Sequence, residues 1–165
     1  MDEMEALIYD RTQTDVDRVK LLASKIEGKT ATGAEISEWY GARMRGAWNH
    51  TDLNRIEAWT AALRDELGSH GYTAIIETRS SEWQLGDIPR RSDVDRIRHN
   101  VDALQTAFAQ LPDWRDIAYD GTIDYPRANA LEWDLSRIYV WLQSAVSAYM
   151  TRQAGTLFLI AGGVL

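Results

Sequence analysis

At 165 residues with 25 acidic against 18 basic side chains, a formal charge of -7, the chain is long enough for one domain with its own core, and it meets a phosphate backbone with the wrong sign of field. Its one basic knot, Arg90-Arg91 with Arg96 and Arg98, is interleaved with Asp93 and Asp95, so no nucleic-acid partner is expected. The absence of cysteine excludes a disulfide framework, a thiolate zinc site and a cysteine nucleophile.

The acidic opening MDEMEALIYD lacks the basic and then apolar pattern of a signal peptide, which points to synthesis in a reducing cytoplasm. The first helix is expected to open at Thr14, a hydroxyl cap followed by acids, with Val16, Val19, Ala23 and Ile26 on one face until Gly28 stops it. Thr32-Gly-Ala-Glu35 is a capping-box pattern that should start a second helix through Ile36, Trp39 and Tyr40. Thr51 then stands before Leu53, Ile56, Thr60, Leu63 and Leu67, whose spacing predicts a third helix capped by Thr51 and ended by Gly68 or Gly71. Tyr72 to Thr78 alternates and is rich in strand formers, so it is the internal strand candidate.

Ser92 is expected to cap the clearest helix, with Val94, Ile97, Val101, Leu104, Phe108 and Leu111 at heptad spacing before Pro112. Its partner is expected over 126–150, where Leu131, Leu135, Ile138, Leu142, Ala145 and Tyr149 repeat the pattern over about 37 Å. The echo of TDVDRVK in SDVDRIR reads as convergence on a good helix start, since the flanking sequences diverge.

The chain closes on GTLFLIAGGVL, which carries no charge and is too short to span a bilayer, so no membrane insertion is expected. Left in water, such a segment is a sticky strand. Two arrangements would cover it: a hairpin folded back on its own domain around Gly162-Gly163, or pairing with a neighbouring subunit. The second is favoured, because the sole other strand candidate is 72–78 and an isolated pair of strands is marginal. Thr156, Leu157, Phe158, Leu159, Ile160, Val164 and Leu165 are then the expected assembly interface.

Three motifs occur in order: LIYDRTQTDV at Leu7 to Val16, RGAWNHTDLNRI at Arg45 to Ile56, and WQLGDIP at Trp83 to Pro89. They resemble a family of phage and prophage virion structural proteins of Gram-positive hosts. Its members carry Leu-Ile-x-Asp-Arg-Thr-Gln-x-Asp-Val, Lys-Gly-Ala-Tyr-Asn-x-Thr-Asp-Leu-Asn-Arg-Val and Trp-x-x-x-Asp-Ile-Pro. The likeness spans about the first hundred residues and departs at the uncharged end, where family members are acidic. It implies a tail, baseplate or fibre-associated virion component that works with copies of itself and other tail proteins, without catalytic residues.

Three readings of the chemistry follow. In GAWNHTDLNRIEAW, His50 with Asp52 or Glu57 and a Trp48 platform would suit an acid/base hydrolase, but no nucleophile or oxyanion motif accompanies them, and a capped helix with Trp48 and Trp59 in the core accounts for the same residues. Trp83, Trp114 and Tyr119 are candidates for an exposed recognition surface, for example toward a host-surface glycan. The acid pairs Asp15/Asp17, Asp93/Asp95 and Glu132/Asp134 read as first-turn or solvated acids; no metal or cofactor is expected. The expectation is therefore a mainly α protein: an antiparallel helical bundle over 1–154 with a few short β-strands, including a C-terminal apolar strand or hairpin over 155–165. It is expected to be a non-enzymatic assembly protein of the virion.

Overall fold

A carboxylate three residues in marks the start of four helices. The computed structural model describes residues 4–41, 44–115 and 123–161, with side chains through Gln153. In α1 (Gln13–Glu27) the Thr12 hydroxyl accepts from the Asp15 amide at 3.4 Å, and the Asp15 carboxylate accepts from the Thr12 amide at 2.7 Å. Thr32 and Glu35 close the same box on α2 (Gly33–Tyr40), as do Asn49 and Asp52 on α3 (His50–Ser69). On α4 (Arg91–Phe108), the Arg90 amide donates to Asp93 at 2.9 Å.

Thr32 thus caps as expected, whereas Thr14, Thr51 and Ser92 do not; each sits at the second helical position, directly before the acid that closes the box. An acid at the third position needs its cap three residues upstream, and that geometry outweighs the preference for a hydroxyl. The Thr51 hydroxyl instead donates to the Asn49 side-chain oxygen at 2.6 Å. Asn49→Ala should therefore cost about 1 kcal/mol in chemical denaturation and Thr51→Ala clearly less; equal losses would return the cap to Thr51.

The protein is mainly helical, and α3, α4 and α5 (Tyr125–Ala161) pack on one another while α1 packs with α2. The core joins Leu53, Ile56, Trp59, Leu63 and Leu67 of α3 to Ile97, Val101 and Leu104 of α4 and Leu135, Ile138 and Leu142 of α5. Burial of these side chains, each worth roughly 1.5–3 kcal/mol, is the main drive for the bundle. Gly46 admits a close crossing with α1, since a Cβ there would lie 2.1 Å from the Asp15 carbonyl oxygen.

Contacts between the three core helices pair rising numbers with rising numbers. Glu57 meets Arg96 early in α3 and α4, and Tyr72 meets Phe108 where those helices finish. Arg55 meets Glu132, and one turn later Trp59 meets Tyr139. The three helices run in the same sense, which corrects the antiparallel expectation. Extended chain covers about 3.3 Å per residue against 1.5 Å in a helix, so the 70–90 connection can carry the chain back along a whole helix.

Residues 72–78 form the first return. They are extended and alternate, with Ala74 buried and Ile75 85% exposed, but no strand pairs with them, and no strand occurs among the described residues. The Asn100 side chain of α4 supplies the partner a ladder would have given: its oxygen accepts from the Glu77 amide at 2.8 Å and its amide donates to the Glu77 carbonyl at 2.7 Å.

No strand is found over 155–161, where α5 continues as helix through Gly155 to Ala161, and the expected turn at Gly162-Gly163 lies outside the described residues. Once a helix exists, each further residue adds a bond at little extra cost, and a single glycine subtracts only about 1 kcal/mol. Its 37 residues make it about 55 Å long, against about 30 Å for the 20 residues of α3. Among the described side chains Val146 is the last packed on the core, and every residue from Ser147 to Gln153 is exposed. The helix therefore projects beyond the bundle. Val164 and Leu165 lie outside the described residues, as do the side chains of Thr156, Leu157, Phe158, Leu159 and Ile160.

Candidate functional site

The segment 4–12 crosses α3 and α5, and at the crossing four charged side chains are buried together. Arg11, Asp52, Arg55 and Glu132 are 4%, 4%, 5% and 0% exposed. Arg11 Nη2 donates to Asp52 Oδ1 at 2.8 Å and to Glu132 Oε1 at 2.7 Å. Arg55 donates through Nε to Glu132 Oε2 and through Nη2 to Glu132 Oε1, both at 2.9 Å, and Nη2 also bonds Asp52. Two guanidinium groups and two carboxylates cancel in charge, which makes their burial tolerable; a lone charge there would not be.

The backbone of the crossing segment is tied into the same cluster. The Ile8 amide donates to Glu132 Oε2 at 2.6 Å, and Asn129 of α5 both accepts from the Arg11 amide at 3.1 Å and donates to the Arg11 carbonyl at 2.9 Å. Burial alone would push the Arg55 guanidinium toward neutrality, but its bonds to Glu132 and then Asp52 more than offset this and hold it above its usual value. Apart from Arg11 Nε, which has no partner among the described residues, the charged groups are spent on one another and on the N-terminal backbone, so the cluster locks the N-terminal segment in place.

Residues of the three sequence motifs meet on α3. Arg11 belongs to the first, Asp52 and Arg55 to the second, and Asn54 of the second grips the third: its side chain donates to the Trp83 carbonyl at 2.9 Å and accepts from the Trp83 amide at 2.8 Å. Sequence reasoning missed Arg11 and Arg55, and read Asp52 as part of a helix start or as an acid/base partner of His50, not as a member of a buried charge cluster. The signal was present in the spacing, since Asp52 and Arg55 fall on the stripe that continues to Ile56 and Trp59.

Both carboxylates of the acid/base reading are held by arginines. His50 opens α3, but Glu57 is bonded to Arg96 and Asp52 to Arg11 and Arg55. Trp83 is 3% exposed with the Arg79 guanidinium 3.6 Å from its ring centre, so it belongs to the core and not to a recognition surface. Trp114 is half-buried and packs against the core, and Tyr119 lies outside the described residues. Among the described residues, no group of three or more metal-ligating side chains lies together, and no helix is long and apolar enough to cross a membrane.

Glu132 and Asp134 are buried rather than solvated. Asp134 accepts from the Arg115 amide at 2.9 Å, and burial, opposed by that bond, pushes its carboxyl up to about 7. Beside it, Trp133 donates to the Asp113 carbonyl at 3.0 Å, receives Tyr9 edge-on at 5.3 Å and carries the Arg115 guanidinium 4.0 Å from its ring centre. This second cluster fastens 109–115 and the N-terminal segment to α5.

Comparison with protein-family models, with curated proteins and with solved structures finds no match to this chain.

Proposed function

We propose that the protein is a non-enzymatic assembly component of a phage or phage-derived tail, joined to copies of itself and to other tail proteins through the projecting part of α5. The observation that carries this reading is the helix that leaves the bundle after Val146 with Tyr149 and Met150 62% and 64% exposed. Its sequence beyond Gly155 continues uncharged with Leu157, Phe158, Leu159 and Ile160. The apolar side chains of this arm gain most by packing against another chain. The resemblance of the three motifs to virion proteins supports the setting, and the use of motif residues to hold the fold together suits a scaffold.

The full chain should self-associate in sedimentation velocity at micromolar concentration. Removal of 155–165 should leave a monomer with an unchanged melting transition. A monodisperse monomer at high concentration, indifferent to that deletion, would reject the reading.

A further inference from the structure

The projecting arm of α5 needs a surface to meet, and α2 presents one. None of the 8 residues of α2 is buried. The helix is held to α1 by charge: Arg18 donates to Glu38 at 2.6 Å, and Lys25 bonds Glu35. Both of its acids are therefore turned toward α1. Gly33, Ile36, Ser37 and Tyr40, spaced three and four residues apart, line the opposite side, with Ile36 42% and Tyr40 67% exposed. The Ser37 hydroxyl donates to the Gly33 carbonyl at 3.0 Å, so covering this stripe strands no hydroxyl donor. No atom lies within 4 Å of a Cβ built at Gly33, which leaves a shallow step beside the two large side chains.

Charge and distance together select the occupant. The chain is 26% charged, yet this stripe has no charge, and the sequence from Ser147 to Leu165 has one charged side chain, Arg152. A charged partner would lose its water against Ile36 and Tyr40 without gaining a counter-ion, whereas the arm loses little. The arm cannot be the molecule's own. Gln13, Val16 and Lys20 of α1 border one cavity with Tyr125 and Pro126, so the α1–α2 pair sits beside the start of α5. Ser147 follows about 33 Å further along that helix, which continues away from the α1–α2 pair.

Given the assembly reading above, on which this rests, we infer that the arm of one copy packs on the Gly33–Tyr40 stripe of a second copy, with Tyr149 and Met150 set against Ile36 and Tyr40. Unlike surfaces meet in this contact. Each copy carries one of each, so the same contact repeats from copy to copy.

Two half-competent chains test this by sedimentation velocity. Ile36→Lys with Tyr40→Lys keeps the arm and spoils the stripe, while removal of 155–165 keeps the stripe and shortens the arm. Each alone should be a monomer, and an equimolar mixture should form a one-to-one complex that grows no further. Gly33→Arg in the full chain should weaken self-association about tenfold without lowering the melting temperature, and it serves as the test if the double variant unfolds. Self-association that survives either change in a folded chain, or a mixture that stays monomeric, overturns the inference and leaves the assembly reading standing; pairing of arm with arm gives that result. A full chain that stays monomeric, or that associates regardless of the deletion, removes both.

Discussion

Glu132→Ala should lower the unfolding free energy by about 3–5 kcal/mol, because it leaves Arg11 and Arg55 sharing one buried carboxylate. That is a large part of the roughly 5–15 kcal/mol that holds a domain together. The loss has a spatial signature: Ile8 loses the acceptor of its amide, so exchange at Ile8 should accelerate more than exchange at the core amides of α4. Arg55→Met combined with Glu132→Leu removes a cation and an anion together and should cost much less than the sum of the single changes, since no unpaired charge remains. Urea denaturation of the four proteins measures the coupling. Strictly additive effects would mean that the four groups do not act as a unit.

The second large effect is a dependence on pH. In the unfolded chain Asp134 releases its proton near the ordinary 3.8, and in the folded protein near 7. Between those values the folded state holds a proton that the unfolded state has lost, so this group's contribution to stability is complete below about pH 4, declines as pH rises toward 7, and is gone above it. Its full size is of the order of 4 kcal/mol. Asp134→Asn retains an oxygen for the Arg115 amide but cannot ionise. The variant should therefore be the more stable protein at pH 8, with the advantage shrinking toward pH 4. Other carboxylates act in the opposite direction, among them Glu35, held at about 2 by its Lys25 and Thr32 partners. The quantity to plot is the difference between variant and parent; a difference that does not change from pH 4 to 8 would refute the assignment.

Both effects arise from residues that periodicity alone assigns to the wrong face. The apolar repeats of Leu53 to Leu67, Val94 to Leu104 and Leu135 to Leu142 are legible because burial of one stripe is what a packed helix requires. Reading by hydrophobicity marks every charge as solvent-facing, and so overlooks Asp52, Arg55, Glu132 and Asp134, which lie on buried faces and are kept there by specific bonds. Those bonds join positions as far apart as Arg11 and Glu132, and no local spacing encodes such a partnership. Helix existence was open to inspection for similar reasons, while its limits were not. Thr14, Thr51 and Ser92 have suitable side chains but stand too close to the acid that decides the register. The run after Gly155 is equally compatible with strand and helix until the helix that precedes it is known. The sense of the bundle was hidden in the long connections, whose composition gives their polarity and not the path they take.

The shared sense of α3, α4 and α5 gives the molecule distinguishable poles. In an up-and-down bundle neighbouring macrodipoles cancel, but here they add, with about half a positive charge per helix where α3, α4 and α5 begin and half a negative charge where α3 and α4 end. The long arm of α5 departs from the negative end. Stacked units of this kind favour head-to-tail order over head-to-head, so a column built from them carries a direction along its axis.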